Sequence, residues 1–250
     1  MIMLYFSGTG NSKFVAEKFS EKAGCECHSI EEKIDFKAVS AKHDTVAVCY
    51  PIYASSVPRI MRNFVKDNPE VFDNKKLIIF CTQMMFSGDG AKAFTRLVKG
   101  SEDRVIYAEH FNMPNNISNS DKLKISEKER LKKIPKAEQK IEKICNDLKK
   151  GKVFRRGWGS FSEKLGKIQN TTWYQNEEKR KSSFKAAEDC IKCGLCAKNC
   201  PVQNLSMGEN GVVQHDNCIL CFRCVNLCPV KAAMVLKERR PEVQYKGPVQ

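Results

Sequence analysis

The stretch MIMLYFSGTGNSKF, residues Met1–Phe14, predicts how the first half of this 250-residue chain folds. Its apolar run stops at a loop of glycine and hydroxyl residues, and an amphipathic helical pattern begins directly afterwards. A strand, a loop of this kind and a helix N-terminus together present free backbone N–H groups to an anion. We therefore expect the loop to bind a phosphate group through Ser7, Gly8, Thr9, Gly10, Asn11 and Ser12.

The spacing within this loop separates three kinds of phosphate site. A Walker loop requires a lysine directly after its second glycine, and a dinucleotide fingerprint requires a third glycine; neither is present. The flavodoxin-type pattern [ST]-x-[ST]-G-x-[ST] is matched at every position. The loop therefore favours a flavin phosphate, with a simple helix cap after a strand as the alternative.

Alternating strand and helix patterns continue to about residue 150. Continuous apolar runs predict strands, and 3.6-residue periodicity predicts helices. Strands alternating with helices imply parallel pairing in a doubly wound α/β sheet. The further strands are expected at Cys25–Ile30, Thr45–Tyr50, Lys76–Thr82 and Arg104–Phe111, and the helices at Asn11–Lys22, after Pro58, at about Gly90–Lys99 and at Ser126–Lys150, the last kinked or broken at Pro135.

Three segments are expected along the chain. Residues 1–150 are predicted to form the sheet domain, and residues 186–250 a cysteine-rich domain. Residues 151–185 lose helical periodicity but carry two tryptophans, Trp158 and Trp173. A free linker rarely carries two tryptophans, so we expect this segment to be a connector that docks on the rest of the protein.

An internal repeat dominates the last segment. CIKCGLCAKNCP recurs as CILCFRCVNLCP, and every cysteine reappears after 28 residues. The spacing C-x2-C-x2-C-x3-C-P is that of bacterial ferredoxins with two [4Fe–4S] clusters. The fourth cysteine of such a run ligates the other cluster. One cluster is therefore expected on Cys190, Cys193, Cys196 and Cys228, and the other on Cys218, Cys221, Cys224 and Cys200.

Zinc is the alternative ligand for this repeat. A structural zinc site needs only four cysteines and gives no reason for a third cysteine step followed by Cys-Pro in both copies. The remaining cysteines, such as Cys49 and Cys81, fall on predicted strands and are read as small core residues. The repeat therefore favours iron–sulfur clusters.

Two further loops are expected beside the phosphate loop. In a doubly wound sheet the ligand lies outside the carboxyl ends of the strands, where the loops after the third and fourth strands begin. Tyr53 is predicted to stack on a flavin ring. Ordinary packing within the loop is the alternative for both Tyr53 and Phe86. Of the histidines, only His110 is expected near the flavin. The candidate ring contacts are Pro51, Ile52, Tyr53, Ala54, Thr82, Gln83, Met84, Phe86 and Gly88.

These motifs together resemble the flavodoxin–ferredoxin fusion proteins of anaerobes, the EFR-type ferredoxin family. The resemblance covers residues 1–116, through SGTGNS, YPIYASSVP, TQMMFSGDGA and FNMPNN, and residues 186–235, through the cysteine repeat. It implies a flavodoxin-like, five-stranded parallel sheet of order 2-1-3-4-5 that binds FMN. It also implies a small α+β ferredoxin domain of the bacterial type with two [4Fe–4S] clusters.

The expected function is low-potential electron transfer between FMN and the clusters, which links a redox donor to an acceptor enzyme in anaerobic metabolism. The alternative is an FMN-dependent reductase that acts on a small substrate and is fed by the clusters. A carrier is favoured over a reductase because no acid–base or nucleophilic constellation is assembled, so no catalytic residue is expected. The histidines are scattered along the chain.

Charge and hydropathy suggest partners and location. The net charge of +14 is concentrated in residues 121–185, which carry +11. We expect this region to dock an acidic redox partner; a merely solvated surface is the alternative, and nucleic acid is disfavoured. No apolar run approaches the ~20 residues of a membrane span, and no signal peptide is seen. A cytoplasmic protein without a membrane partner is therefore expected.

Overall fold

The apolar run at the start of the chain forms strand β1 (Ile2–Tyr5), which is fully enclosed in a parallel sheet. The computed structural model describes residues 1–120 and 122–248. Strand β1 pairs in parallel with β2 (Glu26–Ser29) on one side and with β3 (Thr45–Pro51) on the other. The phosphate loop therefore leaves the sheet at the end of its second strand in spatial order, between β2 and β3.

The sheet has six strands rather than the five expected. The expected order 2-1-3-4-5 is present, and β4 (Lys76–Gln83) and β5 (Val105–Asn112) pair in parallel as predicted. The additional strand, β6 (Phe154–Arg155), lies at the β5 edge, where Phe154 pairs with Tyr107. It comes from the segment in which no regular structure was predicted, because two residues are too short to produce a periodic pattern.

Helices cover both faces of this sheet. Helices α1 (Asn11–Ala23) and α4 (Glu127–Lys149) pack on one face, and α2 (Phe36–Ala41) and α3 (Arg59–Asp67) pack on the other. Alternate residues of each strand contribute to the two cores. Burial on both faces is the physical reason for the continuous apolar runs in the sequence.

Two predicted helices differ in detail. Helix α4 runs through Pro135 as one element, so the predicted break does not occur. Proline has no N–H, so the carbonyl of Leu131 loses its helical hydrogen bond. Leu131 is exposed, so water can donate a hydrogen bond to this carbonyl instead. The helix expected at Gly90–Lys99 is a single 3-10 segment, Lys92–Arg96. The hydroxyl of Tyr50 donates to the Gly90 carbonyl at 2.9 Å and holds the start of this segment outside a regular helix.

The connector contains a long helix, α5 (Ser160–Arg180), that the sequence pattern did not predict. It docks mainly through polar contacts: Gln169 pairs with Ser55, and Asn170 pairs with Ser56. Farther along α5, Glu177 accepts a hydrogen bond of 2.6 Å from Arg62 of α3. The helix therefore lies across the loops that follow β3 and β4.

The cysteine-rich region is built from short elements around a small core. Strands β7 (Phe184–Ala186) and β10 (Ala233–Val235) form one antiparallel pair, and β8 (Leu205–Gly208) and β9 (Gly211–Gln214) form a second. Two short helices, α6 (Leu195–Lys198) and α7 (Arg223–Leu227), follow the cysteine loops. Within residues 1–120 and 122–248, no helix combines the length and apolar character needed to cross a membrane.

Candidate functional site

The loop Ser7–Ser12 is held rigid by its own side chains and by neighbouring loops. Gly10 has a φ of 100° and caps α1, and its N–H donates to Ser7 Oγ at 3.0 Å. Asn116 donates to Thr9 Oγ1 at 2.9 Å, and the hydroxyls of Ser12 and Thr82 lie 2.8 Å apart. The first N–H groups of α1 have no carbonyl partner within the helix, so this loop suits a phosphate without a basic side chain.

A cavity of about 220 Å³ opens beside this loop at the carboxyl ends of the strands. Most of the predicted flavin contacts line it together, although they come from three separate loops. They are Ser7, Gly8, Thr9, Asn11, Ser12, Pro51, Ile52, Tyr53, Ala54, Thr82, Gln83 and Met84. The cavity is therefore bounded by the polar loop at one end and by apolar and amide groups at the other.

Three of the predicted residues lie outside the cavity lining. Phe86 is 61% exposed, because the loop after β4 turns outward before it returns to the protein. Gly88 faces α5 instead: its N–H donates to Ser55 Oγ at 2.8 Å, and a Cβ there would collide with the backbone of Gly166. Gly10 faces the C-terminal tail, where a Cβ would lie 3.1 Å from Pro248.

Several lining residues were not predicted as site residues. They come from the segment after β5, from α5 and from the cysteine-rich region: Met113, Pro114, Asn115, Asn116, Ile117, Trp173, Leu220, Phe222 and Leu236. The motif FNMPNN is the one local signal that could have identified the first group. Trp173 packs against Tyr53 with ring centroids 5.4 Å apart, so α5 supplies an aromatic wall.

The amide of Gln83 is fixed at the cavity by a chain of hydrogen bonds. Ser87 donates to Gln83 Oε1 at 2.7 Å, and Gln83 Nε2 donates to Asn112 Oδ1 at 2.7 Å. His110 lies behind this chain, with Nδ1 3.5 Å from Ser87 Oγ, and does not line the cavity. Burial lowers the pKa of His110 to about 4, so its imidazole is neutral at pH 7.

The eight clustered cysteines surround two small cavities, four around each. One cavity is lined by Cys190, Cys193, Cys196 and Cys228, and the other by Cys200, Cys218, Cys221 and Cys224. The fourth cysteine of each run thus lies with the first three of the other run. Four soft thiolates around one cavity are the ligand set of a [4Fe–4S] cluster, so the residues present fit the two clusters.

The 28-residue repeat extends to backbone conformation and hydrogen bonding. The N–H groups of Asn204 and Ala232 donate to Cys200 Sγ and Cys228 Sγ at 3.2 and 3.1 Å. Left-handed φ angles recur at positions 28 residues apart, at Lys192 and Leu220, at Gly194 and Phe222, and at Gln203 and Lys231. Such turns aim N–H groups at the sulfurs, and hydrogen bonds to sulfur tune cluster potentials.

The two cysteine sets differ in their surroundings. Burial raises the pKa of the Cys221 thiol to about 12, so ligation must remove a proton that this thiol otherwise keeps. Cys193, in the other set, is exposed. Cys221 and Ile219 pack into the core on one face of the parallel sheet. The set that contains Cys221 is therefore the inner one, and the set that contains Cys193 is the outer one.

The phosphate loop touches the inner set directly. A Cβ built at Gly8 would collide with the Cys221 carbonyl and lie 3.0 Å from the Cys221 Cβ, so only glycine permits this approach. Leu220 and Phe222, on either side of Cys221, line the cavity beside the phosphate loop. This cavity and the inner cysteine set therefore share one wall.

Family models match the first part of the chain and the part that contains the cysteine repeat. A model described as a flavodoxin domain matches residues 2–141. Two models described as 4Fe-4S dicluster domains match residues 189–232 and residues 152–206. The last two matches overlap within the cysteine repeat. The comparison with curated proteins gave no match.

Solved structures with a similar fold are flavodoxins and related proteins. The two-electron reduced flavodoxin of Megasphaera elsdenii is 19% identical, with a TM-score of 0.40, over 58% of this chain and 99% of that one. Oxidised flavodoxin 1 of Bacillus cereus is 13% identical, with a TM-score of 0.38, over 58% and 96%. The Trp repressor binding protein of Bacillus subtilis is 11% identical, with a TM-score of 0.40, over 58% and 96%.

The cofactors and general role follow from these family matches and from the two kinds of site. The protein holds FMN in its first domain and two [4Fe–4S] clusters on its cysteine repeat, and its role is electron transfer. The match over residues 2–141 covers more than half of the sequence. The chain therefore belongs to the flavodoxin domain family, as a fusion of a flavodoxin domain with a ferredoxin region of the 4Fe-4S dicluster type.

Proposed function

We propose that this protein is a low-potential electron relay that links a redox donor to an acceptor enzyme in anaerobic metabolism. FMN supplies one- and two-electron exchange, and each cluster supplies one-electron exchange. The residues of this chain hold these groups in order and exclude water between them. The observation that carries the proposal is the wall shared by the flavin cavity and the inner cysteine set.

The proposed order is FMN, inner cluster, outer cluster. Phe222 lines both the flavin cavity and the cavity of the inner cysteines. The outer set lies near the surface, where Cys193 is exposed and Ile191 is 58% exposed. A protein built in this way exchanges electrons with a partner at the outer cluster and stores an electron pair at the flavin.

An anaerobic redox titration tests this order. We expect FMN and both clusters in each chain, and we expect flavin bleaching to be coupled to the appearance of the reduced-cluster EPR signal. Rapid mixing with a one-electron reductant should reduce the clusters before the flavin. A pyridine nucleotide should give no turnover of a dye unless a protein donor is added. Turnover without such a donor would contradict a pure relay and favour a flavin reductase.

The basic segment 121–185 supports an acidic redox partner. Part of its positive charge lies on the first half of α4, where Lys128, Lys132 and Lys136 are exposed. This half of the helix lies beside the flavin cavity, because Lys133 Nζ donates to the carbonyl of Met84 at 2.9 Å. Exposed charge next to a redox site steers an oppositely charged partner and speeds association.

A triple variant, Lys128→Gln, Lys132→Gln and Lys136→Gln, tests this docking surface. We expect the bimolecular rate with an acidic ferredoxin to fall about tenfold at low salt and to lose most of its salt dependence. The control replaces three exposed lysines from the nearly neutral first half, Lys37, Lys42 and Lys66, with the same loss of charge. Equal effects in both variants would show that total charge, and not this surface, attracts the partner.

A further inference from the structure

Arg223 uses every donor of its guanidinium group at the boundary between the two cofactor regions. Its Nη2 donates to the Ser7 carbonyl at 2.8 Å, and its Nε donates to the Gly8 carbonyl at 3.1 Å. The same group forms a bidentate pair with Glu31 at 2.8 and 2.9 Å, and its Nη1 also donates to the Asn199 carbonyl at 3.2 Å. The side chains of Arg223 and Glu31 are 20% and 27% exposed, so water screens this pair only in part.

The sequence position of Arg223 places these contacts next to the ligands of the inner cluster. Arg223 lies between two ligands of the inner cluster, Cys221 and Cys224, and Asn199 directly precedes a third, Cys200. Ser7 and Gly8 are the first residues of the phosphate loop. One planar group therefore joins two segments that ligate the inner cluster to the loop that holds the flavin phosphate.

We propose that Arg223 is a positioning residue for electron transfer between FMN and the inner cluster, and that Glu31 holds its guanidinium in place. The proposal rests on the electron-relay function. The step moves one electron from reduced FMN to the cluster, or the reverse; no bond forms or breaks, and any proton exchanged by the flavin passes to or from solvent. Arg223 sets the separation and alignment of the two groups by fixing Gly8 against Cys221.

Tyr245 also reaches the phosphate loop, where it donates to Asn11 Oδ1 at 2.6 Å, but two other arginines do not contact this loop. Arg59 of α3 donates to the carbonyls of Asn217 and Cys218 at 2.6 and 3.2 Å, which fixes the far side of the inner cysteine loop against the sheet domain. Arg240 pairs with Asp189 within the ferredoxin region. These arginines hold the same region in place without contacting Ser7 or Gly8. Replacing one of them therefore tests the effect of attachment in general, and replacing Arg223 tests the alignment that we assign to it.

The variant Arg223→Lys tests the proposal, because lysine keeps the positive charge but lacks the planar five-donor fork. The whole protein, loaded with FMN and iron, is reduced under anaerobic conditions by a light pulse on deazaflavin, with EDTA as the electron donor, and electron exchange between flavin and clusters is followed optically. We expect the intramolecular rate to fall several-fold, since the rate of electron transfer falls exponentially as the separation between the two groups grows. Iron content, FMN content and the potential of the inner cluster should stay close to those of the wild type.

Two further variants complete the design. Arg223→Gln also removes the charge, so it should slow transfer and lower the potential of the inner cluster. Arg240→Gln removes a matched arginine–carboxylate pair and should leave the rate unchanged. If Arg223→Lys fails to load its cofactors, Glu31→Gln gives the same test from the sheet side, where it should slow transfer about threefold by loosening the guanidinium.

The outcomes distinguish this proposal from the relay itself. A wild-type rate in Arg223→Lys or, if that variant does not load, in Glu31→Gln would overturn the positioning role and leave the relay intact. An equal slowing in Arg240→Gln would also overturn it, because any loosening of the region would then suffice. If the wild-type protein shows no exchange between flavin and clusters, the relay fails before any variant is compared.

Discussion

The flavodoxin sheet and the ferredoxin region bury very different amounts of apolar surface. The sheet packs large side chains such as Phe19, Phe72, Phe80 and Phe94 against both of its faces. The core of the ferredoxin region is small and consists of Phe184, Leu205, Leu220, Phe222, Val225, Ala233 and Val235. A region with so little core depends on its metal ligands for stability, whereas the sheet can fold through burial alone.

The largest expected effect comes from removing one ligand of the inner cluster. Cys224→Ser should cost the protein one cluster, about half of its iron, and should make residues 184–235 sensitive to protease, because metal binding supplies the folding free energy of such a region. FMN should remain bound, since the sheet keeps its own core. Iron analysis, FMN fluorescence and limited proteolysis measure the three quantities.

Cys145→Ala is the matched control on the sheet side. Cys145 is buried in the core between α4 and the sheet. Its loss should cost about 1 kcal/mol of stability and leave both cofactors in place. If Cys224→Ser lost FMN together with iron, the two regions would fold as one unit, and the contrast between burial and ligation would be wrong.

Helix α5 is attached in a third way, by close backbone contact and polar side chains. Gly166 approaches Asp89 so closely that a Cβ would collide with its carboxylate. Gly166→Ala should therefore push α5 away, withdraw Trp173 from the cavity and weaken FMN binding about tenfold, equivalent to an overpacking cost of about 1–3 kcal/mol. FMN fluorescence titration measures the dissociation constant.

Gly159→Ala is the control for this change, because a Cβ at Gly159, just before α5, meets nothing within 4 Å. FMN affinity should stay at the wild-type value in this variant. Equal weakening of FMN binding in the two variants would mean that alanine disturbs α5 at either position, and that the close contact between Gly166 and Asp89 is not the cause. Normal affinity in Gly166→Ala would show that α5 does not cover the flavin.

The polar docking of α5 also explains what the sequence could not predict. Strands β1, β3, β4 and β5 were predicted because burial on both faces leaves continuous apolar runs. Helix α5 buries Gly166 and Asn170 and pairs through Gln169 and Glu177, so it has no apolar stripe to detect.

The residues of the candidate site also divide into those that a local sequence pattern marks and those that it does not. The phosphate loop is contiguous and carries its own spacing rule, as does the cysteine repeat. Trp173, Leu220 and Phe222 reach the cavity from distant parts of the chain, and no local pattern marks such contacts. Phe86 and Gly88 were expected there because they follow β4, yet the loop turns away to meet α5. Local chemistry predicts residues that form one segment, and it leaves the set incomplete where folding assembles the cavity from distant parts of the chain.

Acid is expected to lower the stability of the sheet through one buried histidine. Burial lowers the pKa of His110 to about 4, with Lys140 and Arg156 acting in the same direction and Glu109 opposing them. Between pH 4 and 6.5 the unfolded chain binds a proton that the folded protein does not, so stability falls as the pH drops through this window. The full contribution of His110 is about 3 kcal/mol.

His110→Gln removes this titration, and its unfolding free energy should depend less on pH than that of the wild type between pH 6.5 and 4. Anaerobic urea unfolding, followed by far-ultraviolet circular dichroism, gives both curves. Parallel curves would show that His110 is protonated as readily in the folded protein as in the unfolded chain. Since His110 lies on β5, the difference should appear in the sheet transition and leave the iron content unchanged.

The smallest expected effect separates two neighbouring ion pairs on α5. Glu177 and Arg62 are 17% and 19% exposed and lie 2.6 Å apart, whereas Glu178 pairs with Lys181 at the same distance but is 75% exposed. Glu177→Gln should lower the stability of the docked helix by about 1 kcal/mol, while Glu178→Gln should change it by less than about 0.5 kcal/mol, because solvent screens an exposed pair. In a protein of this size, about 1 kcal/mol corresponds to about 2–4 °C in Tm. Equal shifts in the two variants would show that the Arg62–Glu177 pair adds nothing specific, and that α5 is attached by its glycine and amide contacts alone.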